Sequence, residues 1–171
     1  MTTKTAIYRV HGDNGRLPLK SAWLGLFPSS WVHGGPFRHA PVDFDGVCLL
    51  EKALTNPRDP NRWFHLPIQD FSVPSDDAQV RKALRHVFSS LLRGRNVYVG
   101  CMGGFGRTGL MMALIAKVMA YPDPVQYVRT QYTKQAVETR AQEAYVENFD
   151  VKSLRRWLLK EVIKNAWRRF L

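Results

Sequence analysis

The sequence predicts an α/β domain, a three-layer sandwich with a mostly parallel central sheet of four or five strands flanked by helices. Short apolar runs alternate with longer segments of helical periodicity, which is the pattern of parallel strands joined by crossover helices. Apolar residues make up 45% of the 171 residues, which is enough to bury a core and argues against disorder. We therefore expect residues 1–171 to form a single domain.

The predicted strands and helices follow from local patterns. Buried strands are expected at 46–50, 63–68 and 97–100. Helices are expected at 76–92 with Ser75 as N-cap, from 107 or 108 to about 120, from Pro124, at 139–148 and from about 151 to the C-terminus. The last helix is expected to bury Leu159, Val162, Ile163, Ala166, Trp167 and Phe170. Residues 1–45, a variable segment, read as edge strands at 7–10 and 22–27, loops, and a turn at 34–36.

The charge is basic and unevenly distributed. The net charge is +11, and residues 151–171 hold seven basic residues against one acid, a net of +6. Such charge favours phosphorylated or polyanionic partners. The basic C-terminal helix has two interpretations: it packs on the domain with solvated cations, which we favour, or it binds nucleic acid or an anionic membrane.

Cysteine usage and the N-terminus predict the compartment. The only cysteines are Cys48 and Cys101, without paired metal-ligand spacing, so a reducing, cytoplasmic setting is expected, with no metal and no cofactor. The N-terminus lacks the layout of a signal peptide, and no apolar stretch reaches the ~20 residues of a membrane span.

The segment between the predicted strand at 97–100 and the most apolar helix carries the candidate chemistry. It runs from Cys101 to Arg107 through Met102, Gly103, Gly104, Phe105 and Gly106. Glycines let successive N–H groups point at one anion, and the following helix adds the positive end of its dipole. An arginine grips two phosphate oxygens with one planar fork. Such surroundings stabilise a thiolate, so the segment predicts a cysteine nucleophile in a phosphate-binding loop.

Two ordinary explanations compete with this interpretation. A cysteine at a strand end is usually a small buried hydrophobe, and a glycine-rich strand-to-helix turn can also bind a nucleotide. A nucleotide loop needs no cysteine, and this segment lacks the lysine of a nucleoside-triphosphate loop. The catalytic interpretation is therefore favoured.

Residues 101–109, CMGGFGRTG, resemble the C-x5-R-[S/T]-G signature of protein tyrosine and dual-specificity phosphatases, in particular kinase-associated-phosphatase-like bacterial or phage members. Residues 136–146, AVETRAQEAYV, are similar to the Ala-Ile-x-Thr-x-x-Gln segment of that branch. The resemblance covers roughly residues 63–149. It implies hydrolysis of phosphotyrosine through a phosphocysteine intermediate, with phosphoserine and phosphothreonine left open.

The resemblance also suggests which residues assist the nucleophile. Asp70, on a loop 31 residues before Cys101, matches the family's general acid. Its rivals Asp76 and Asp77 are explained by their place at a helix start, where acids cap and stabilise. Thr108 is a candidate hydrogen-bond donor to the sulfur. Gln142 matches the glutamine that orients the attacking water, and an exposed helix glutamine is an equally open interpretation.

Three further features bear on the resemblance. Most relatives have a histidine where this chain has Gly100, which puts the degree of thiolate stabilisation in doubt. Cys48 is read as a buried strand residue rather than as a disulfide partner of Cys101. The resemblance disfavours a lipid substrate, because phosphoinositide phosphatases of the superfamily usually have lysines where this chain has Met102 and Phe105. It also disfavours RNA triphosphate chemistry, because those relatives have a different loop, typically with His and Asn. A pseudophosphatase that binds phosphorylated partners without turnover is the alternative function.

Overall fold

A computed structural model of the chain describes residues 16–17, 30–52, 59 and 61–170, except the side chains of 16–17 and 168–170. Within these residues the sheet has five strands: β1 (Arg16–Leu17), β2 (Val32–Pro36), β3 (Asp45–Cys48), β4 (Trp63–His65) and β5 (Val97–Cys101). Their order is β1-β2-β5-β3-β4. The pair β1–β2 is antiparallel and the other pairs are parallel. The predicted α/β class with a mostly parallel sheet is confirmed.

Five α-helices flank this sheet in the described part of the chain. They are α1 (Asp77–Leu92), α2 (Gly106–Val118), α3 (Pro124–Gln131), α4 (Arg140–Asn148) and α5 (Lys152–Phe170). All five contribute to the larger of two apolar clusters, on one face of the sheet. In the part of the chain that the structure describes, the smaller cluster on the opposite face is formed by strand residues and the segment that contains the short 3₁₀-helix Phe37–His39. The structure contains no helix, among the residues described, that is long and apolar enough to cross a membrane.

The predicted turn at 34–36 is wrong, because these residues belong to β2, a strand inside the sheet between β1 and β5. The two glycines are explained by crowding. A Cβ at position 34 would lie 2.6 Å from Cε of Met112, and one at position 35 would lie 2.4 Å from the hydroxyl of Tyr98. The local sequence resembles a turn, but glycine is required at positions 34 and 35 because side chains of α2 and β5 pack closely against this strand. The predicted strands at 7–10 and 22–27 lie outside the described residues.

Two details of the predicted helices are also corrected. The N-cap of α1 is Asp76 rather than Ser75: its carboxylate accepts hydrogen bonds from the N–H groups of Ala78 and Gln79. The buried face of α5 consists of Leu154, Leu158 and Val162. The predicted face included Leu159, Ile163 and Trp167, which are exposed instead.

A buried carboxylate links the sheet to α1 at the end of the sheet remote from Cys101. Asp45, at the start of β3, has no solvent exposure and accepts hydrogen bonds from Ser90 at 2.7 Å and from Arg62 Nε at 3.0 Å. Burial by itself would raise the pKa of Asp45. The hydrogen bonds from Ser90 and Arg62 and the charges of Arg95 and Arg62 outweigh it and hold this pKa below its ordinary value.

Candidate active site

The candidate nucleophile lies where an open α/β sheet usually binds its ligand. Cys101 is the last residue of β5, which pairs with β2 on one side and β3 on the other. The loop that follows leads directly into α2, which begins at Gly106. Because the parallel strands β2, β3 and β5 end at this same edge, the loop opens into the crevice at their carboxyl ends.

The sulfur of Cys101 faces the inside of the loop. It is 3% exposed and accepts hydrogen bonds from the backbone N–H of Gly104 at 3.2 Å and from the hydroxyl of Thr108 at 3.2 Å. The Thr108 hydroxyl oxygen in turn accepts the N–H of Cys101 at 3.1 Å. The inward amide and the threonine contact that the sequence predicted are thus present, and both donors suit a thiolate.

Gly104 is the residue that forces the loop to curl. Its φ is +83°, in the region that favours glycine, and a Cβ there would lie 2.6 Å from the carbonyl carbon of Gly35. The buried hydroxyl of Tyr132 donates to the Gly104 carbonyl at 2.5 Å. Burial raises the pKa of Tyr132 far above its ordinary value, so the hydroxyl stays neutral and keeps its proton for this bond.

The amino end of α2 adds further N–H groups to the same loop. The N-cap residue Phe105 makes no side-chain hydrogen bond to the first turn. The first N–H groups of a helix have no partner within it, and they carry the positive end of the helix dipole. Gly103, Gly104, Gly106 and the start of α2 therefore form a cradle suited to an anion.

Arg107 joins this cradle to the loop that carries the candidate acid. Its side chain is almost fully buried, and Nη1 donates to the carbonyl of Ile68 at 3.0 Å. Nη2 lies 2.9 Å from Oδ1 of Asp70, whose side chain is 55% exposed. The Asp70 N–H donates to a carboxylate oxygen of Glu51 at 3.0 Å, which fixes the loop from the other side.

The two rival aspartates have structural partners at the start of α1. Asp76 caps the helix, and Asp77 accepts a hydrogen bond from the hydroxyl of Tyr145 at 2.6 Å. Burial and the Asp77 hydrogen bond raise the pKa of Tyr145, which therefore remains a donor. Of the three aspartates, Asp70 is the one whose recorded ion pair is with Arg107.

Gln142 is fully buried, so the interpretation as an exposed helix glutamine is wrong. Its Nε2 donates to the carbonyl of Ser72 at 3.1 Å, and its Oε1 accepts the N–H of Glu138 at 2.9 Å. Gln142 therefore links the acid loop to the segment before α4.

Two features of the crevice had no signal in the sequence pattern. The carboxylate of Glu138 lies against Gly106, where a Cβ would come within 2.1 Å of Oε2. A negative group thus borders the start of α2. Two apolar residues that are adjacent in sequence to Asp70 and Cys101, Phe71 and Met102, are both more than 60% exposed. Phe71 has a φ of +56°, an unusual backbone conformation for a large side chain.

Cys48 and Gly100 are explained by the second face of the sheet. Cys48 and Cys101 are not joined by a disulfide, and Cys48 belongs to the smaller apolar cluster whereas Cys101 belongs to the larger one. The two thiols therefore face opposite sides of the sheet. A Cβ at Gly100 would lie 2.8 Å from Cα of Phe37, so the 3₁₀ segment occupies the space that a histidine would require.

No cluster of three or more His, Cys, Asp or Glu suited to a metal ion occurs among the residues described.

Sequence comparison relates the segment around this site to a phosphatase family. The family described as polymorphic toxin system, DSP-PTPase phosphatase, matches residues 59–119. Two uncharacterized proteins of Methanocaldococcus jannaschii are 34% identical over 90 residues and 33% identical over 82 residues. These matches span 53% and 48% of this chain and 60% and 51% of the relatives. The chain thus spans about half to three fifths of the length of these relatives.

Solved structures share the fold. DUSP15 superimposes with a TM-score of 0.65 at 15% identity, over 75% of this chain and 90% of that one. Tk-PTP in its active form gives 0.55 at 24% identity, over 72% and 92%. A kinase-associated phosphatase with its catalytic-site cysteine replaced by serine gives 0.56 at 18% identity, over 85% and 94%.

Proposed function

We propose that the chain is a member of the superfamily of cysteine-based protein tyrosine and dual-specificity phosphatases and an active protein phosphatase, as the family match over residues 59–119 and the shared fold support. It hydrolyses phosphotyrosine through a phosphocysteine intermediate on Cys101. The observation that carries this proposal is the position of the Cys101 sulfur, which receives hydrogen bonds from Gly104 and Thr108 inside a loop that also holds Arg107.

Substrate binding begins with an exchange of partners on Arg107. The phosphate of the substrate enters the cradle of backbone N–H groups and replaces Asp70 as the partner of the Arg107 guanidinium. A phosphate dianion carries more charge than the carboxylate and offers two oxygens to the planar fork. Asp70 is thereby released next to the ester oxygen.

In the first chemical step the thiolate of Cys101 attacks phosphorus and the bond to the ester oxygen breaks. Asp70, once released from Arg107, takes up a proton from solvent and gives it to the leaving oxygen, so that the tyrosine departs as a neutral hydroxyl. The N–H groups of the cradle and Arg107 hold the equatorial oxygens of the transition state, where the charge is spread.

In the second step water attacks the phosphocysteine and the sulfur leaves. Asp70, now a carboxylate, accepts a proton from the water, which releases inorganic phosphate. The Thr108 hydroxyl, 3.2 Å from the sulfur, stabilises the returning thiolate. We assign Gln142 a positioning role, because both ends of its amide are bonded to the acid loop and to the Glu138 segment.

Exposed apolar side chains favour an aromatic phosphate ester. Phe71 follows the acid and Met102 follows the nucleophile, and both are exposed beside the site. An aromatic ring that enters between them loses water from its faces, whereas the short side chain of phosphoserine gains little from such contacts. Phosphotyrosine is therefore the proposed substrate class, and hydrolysis of phosphoserine and phosphothreonine peptides is the comparison that tests it.

The pseudophosphatase alternative is disfavoured by the contact between Arg107 and Asp70. A protein that only binds phosphate needs the cradle and the arginine. It has no need of a carboxylate placed at the cradle, since that group competes with the phosphate.

The experiment is hydrolysis of an aryl phosphate, in the presence of a chelator, by the wild type, by Cys101→Ser and by Cys48→Ser. We expect loss of turnover in Cys101→Ser and near wild-type turnover in Cys48→Ser, because the second thiol lies on the other face of the sheet. Equal rates for the wild type and Cys101→Ser would refute the nucleophile assignment.

A further inference from the structure

The C-terminal helix α5 presents two different faces. One face, formed by Leu154, Leu158 and Val162, is buried in the core cluster. The guanidinium of Arg155 donates to the carbonyls of Val118 and Lys117, at the carboxyl end of α2, at 3.1 Å and 2.6 Å. α5 is therefore docked firmly on the domain, and its outward face is held in a fixed orientation.

The exposed residues of the outward face are cations and large apolar side chains. From Lys152 to Trp167, the exposed residues of α5 form two rows, each with a spacing of four residues. The basic row is Lys152, Arg156, Lys160 and Lys164. The apolar row is Leu159, Ile163 and Trp167, which are 47%, 48% and 69% exposed. Since residues three and four apart are neighbours on a helix, the two rows run side by side.

Acidic residues are nearly absent from this C-terminal segment. Residues 151–171 hold one acid, Glu161, which is half-buried and bonded to Lys164 at 2.9 Å. A basic helix that merely remains solvated has no reason to expose three large apolar residues in line, and those three are too exposed to be part of the domain core.

We propose that this face of α5 binds an anionic membrane surface. Leu159, Ile163 and Trp167 insert at the boundary between headgroups and acyl chains, where tryptophan is favoured, and the basic row contacts the anionic headgroups. Nucleic acid would use the cations but gain little from an apolar row. The combination of the two rows is what selects a lipid surface.

Binding at this face leaves the catalytic crevice free. α5 contacts α2 at its carboxyl end, whereas Cys101 lies at the amino end of the same helix. α2 has 13 residues, so the two ends are about 20 Å apart at 1.5 Å per residue. We therefore expect membrane binding and hydrolysis of a soluble ester to be independent, and this proposal does not depend on catalytic activity.

The test is co-sedimentation of the full chain with vesicles of phosphatidylcholine, with or without phosphatidylserine. We expect binding to the mixed vesicles alone. The double variant Leu159→Ser/Ile163→Ser should bind at least tenfold more weakly, and Lys160→Gln/Lys164→Gln about 25-fold more weakly, since each surface cation contributes about fivefold. Lys134→Gln and Val42→Ser, which remove an exposed cation and an exposed apolar side chain elsewhere, are the matched controls and should bind like the wild type.

Several outcomes would overturn the proposal. These are no binding to mixed vesicles, equal binding to both kinds of vesicle, or loss of binding in the lysine variant without loss in the apolar variant, which would indicate a purely anionic partner such as nucleic acid. Concentration-dependent dimerisation that Leu159→Ser/Ile163→Ser abolishes, without vesicle binding, would identify a second copy of the chain instead. Thermal unfolding and turnover of an aryl phosphate, both expected to be unchanged, verify that each variant is folded.

Discussion

Replacing Asp70 by Asn should slow catalysis and at the same time tighten the binding of phosphate. The carboxylate of Asp70 both serves as the proposed general acid and occupies Arg107 at 2.9 Å in the free protein. Asparagine has nearly the same shape but cannot deliver a proton and carries no charge to hold the guanidinium. The two effects therefore act on different measured quantities.

The magnitudes follow from the exposure of the two partners. A general acid contributes about 10²–10⁴ in rate, so kcat for an ester with a poor leaving group should fall by at least about 100-fold. The Arg107 side chain is buried but that of Asp70 is 55% exposed, so solvent screens the pair. Such a pair contributes at most about 1 kcal/mol, which limits the gain in phosphate affinity to about fivefold.

The assay is steady-state hydrolysis of a series of aryl phosphates together with inhibition by inorganic phosphate. The rate defect should shrink as the leaving group becomes a weaker base, because a good leaving group needs no proton. Asp76→Asn is the matched control: it alters the N-cap of α1, so kcat should not change. An unchanged kcat in Asp70→Asn, or weaker inhibition by phosphate, would refute the partner exchange on Arg107.

Three other perturbations test the packing of the domain. Gly100→His, which installs the residue usual in relatives, should lower the free energy of unfolding by at least about 2 kcal/mol in urea titration, because its Cβ meets the backbone of Phe37. The control Gly103→Ala should lower the free energy of unfolding by less, because its Cβ meets only the ring of Phe105. Equal losses for the two variants would contradict the packing argument. Asp45→Asn should lower the free energy of unfolding by about 2 kcal/mol at neutral pH, and this difference from the wild type should shrink as the pH falls through the lowered pKa of Asp45. A difference that stays constant with pH would contradict the lowered pKa. Burial lowers the pKa of His86, so the free energy of unfolding should decrease as the pH falls below about 6.5, and His86→Gln should have a shallower slope over that range.

The loop from Cys101 to Arg107 was the part of the candidate site best predicted from sequence. The glycines between Cys101 and Arg107, the apolar strand before them and the apolar helix after them are all local signals, and the structure brings the sulfur and Thr108 together as expected. The strong signal has a physical reason. An anion cradle requires particular residues at consecutive positions, so its whole pattern lies in one short segment.

Features that depend on distant residues could not be predicted. Gly34 and Gly35 look like a turn because only the folded chain shows what would collide with a Cβ there. The buried face of α5 was misassigned because the helix carries apolar residues on two sides, and the sequence does not say which side meets α1. Glu138 gave no signal because its contact with Gly106 joins residues far apart in the chain.

The formation of a phosphocysteine on Cys101 is the most direct test of the central claim. The wild type would be mixed with an aryl phosphate, quenched in acid within its first turnover, digested and analysed by mass spectrometry. The account predicts one added phosphoryl group on the peptide that contains Cys101, and none on the peptide that contains Cys48. Turnover of the substrate without any phosphorylated Cys101, or with the phosphoryl group on another side chain, would contradict it.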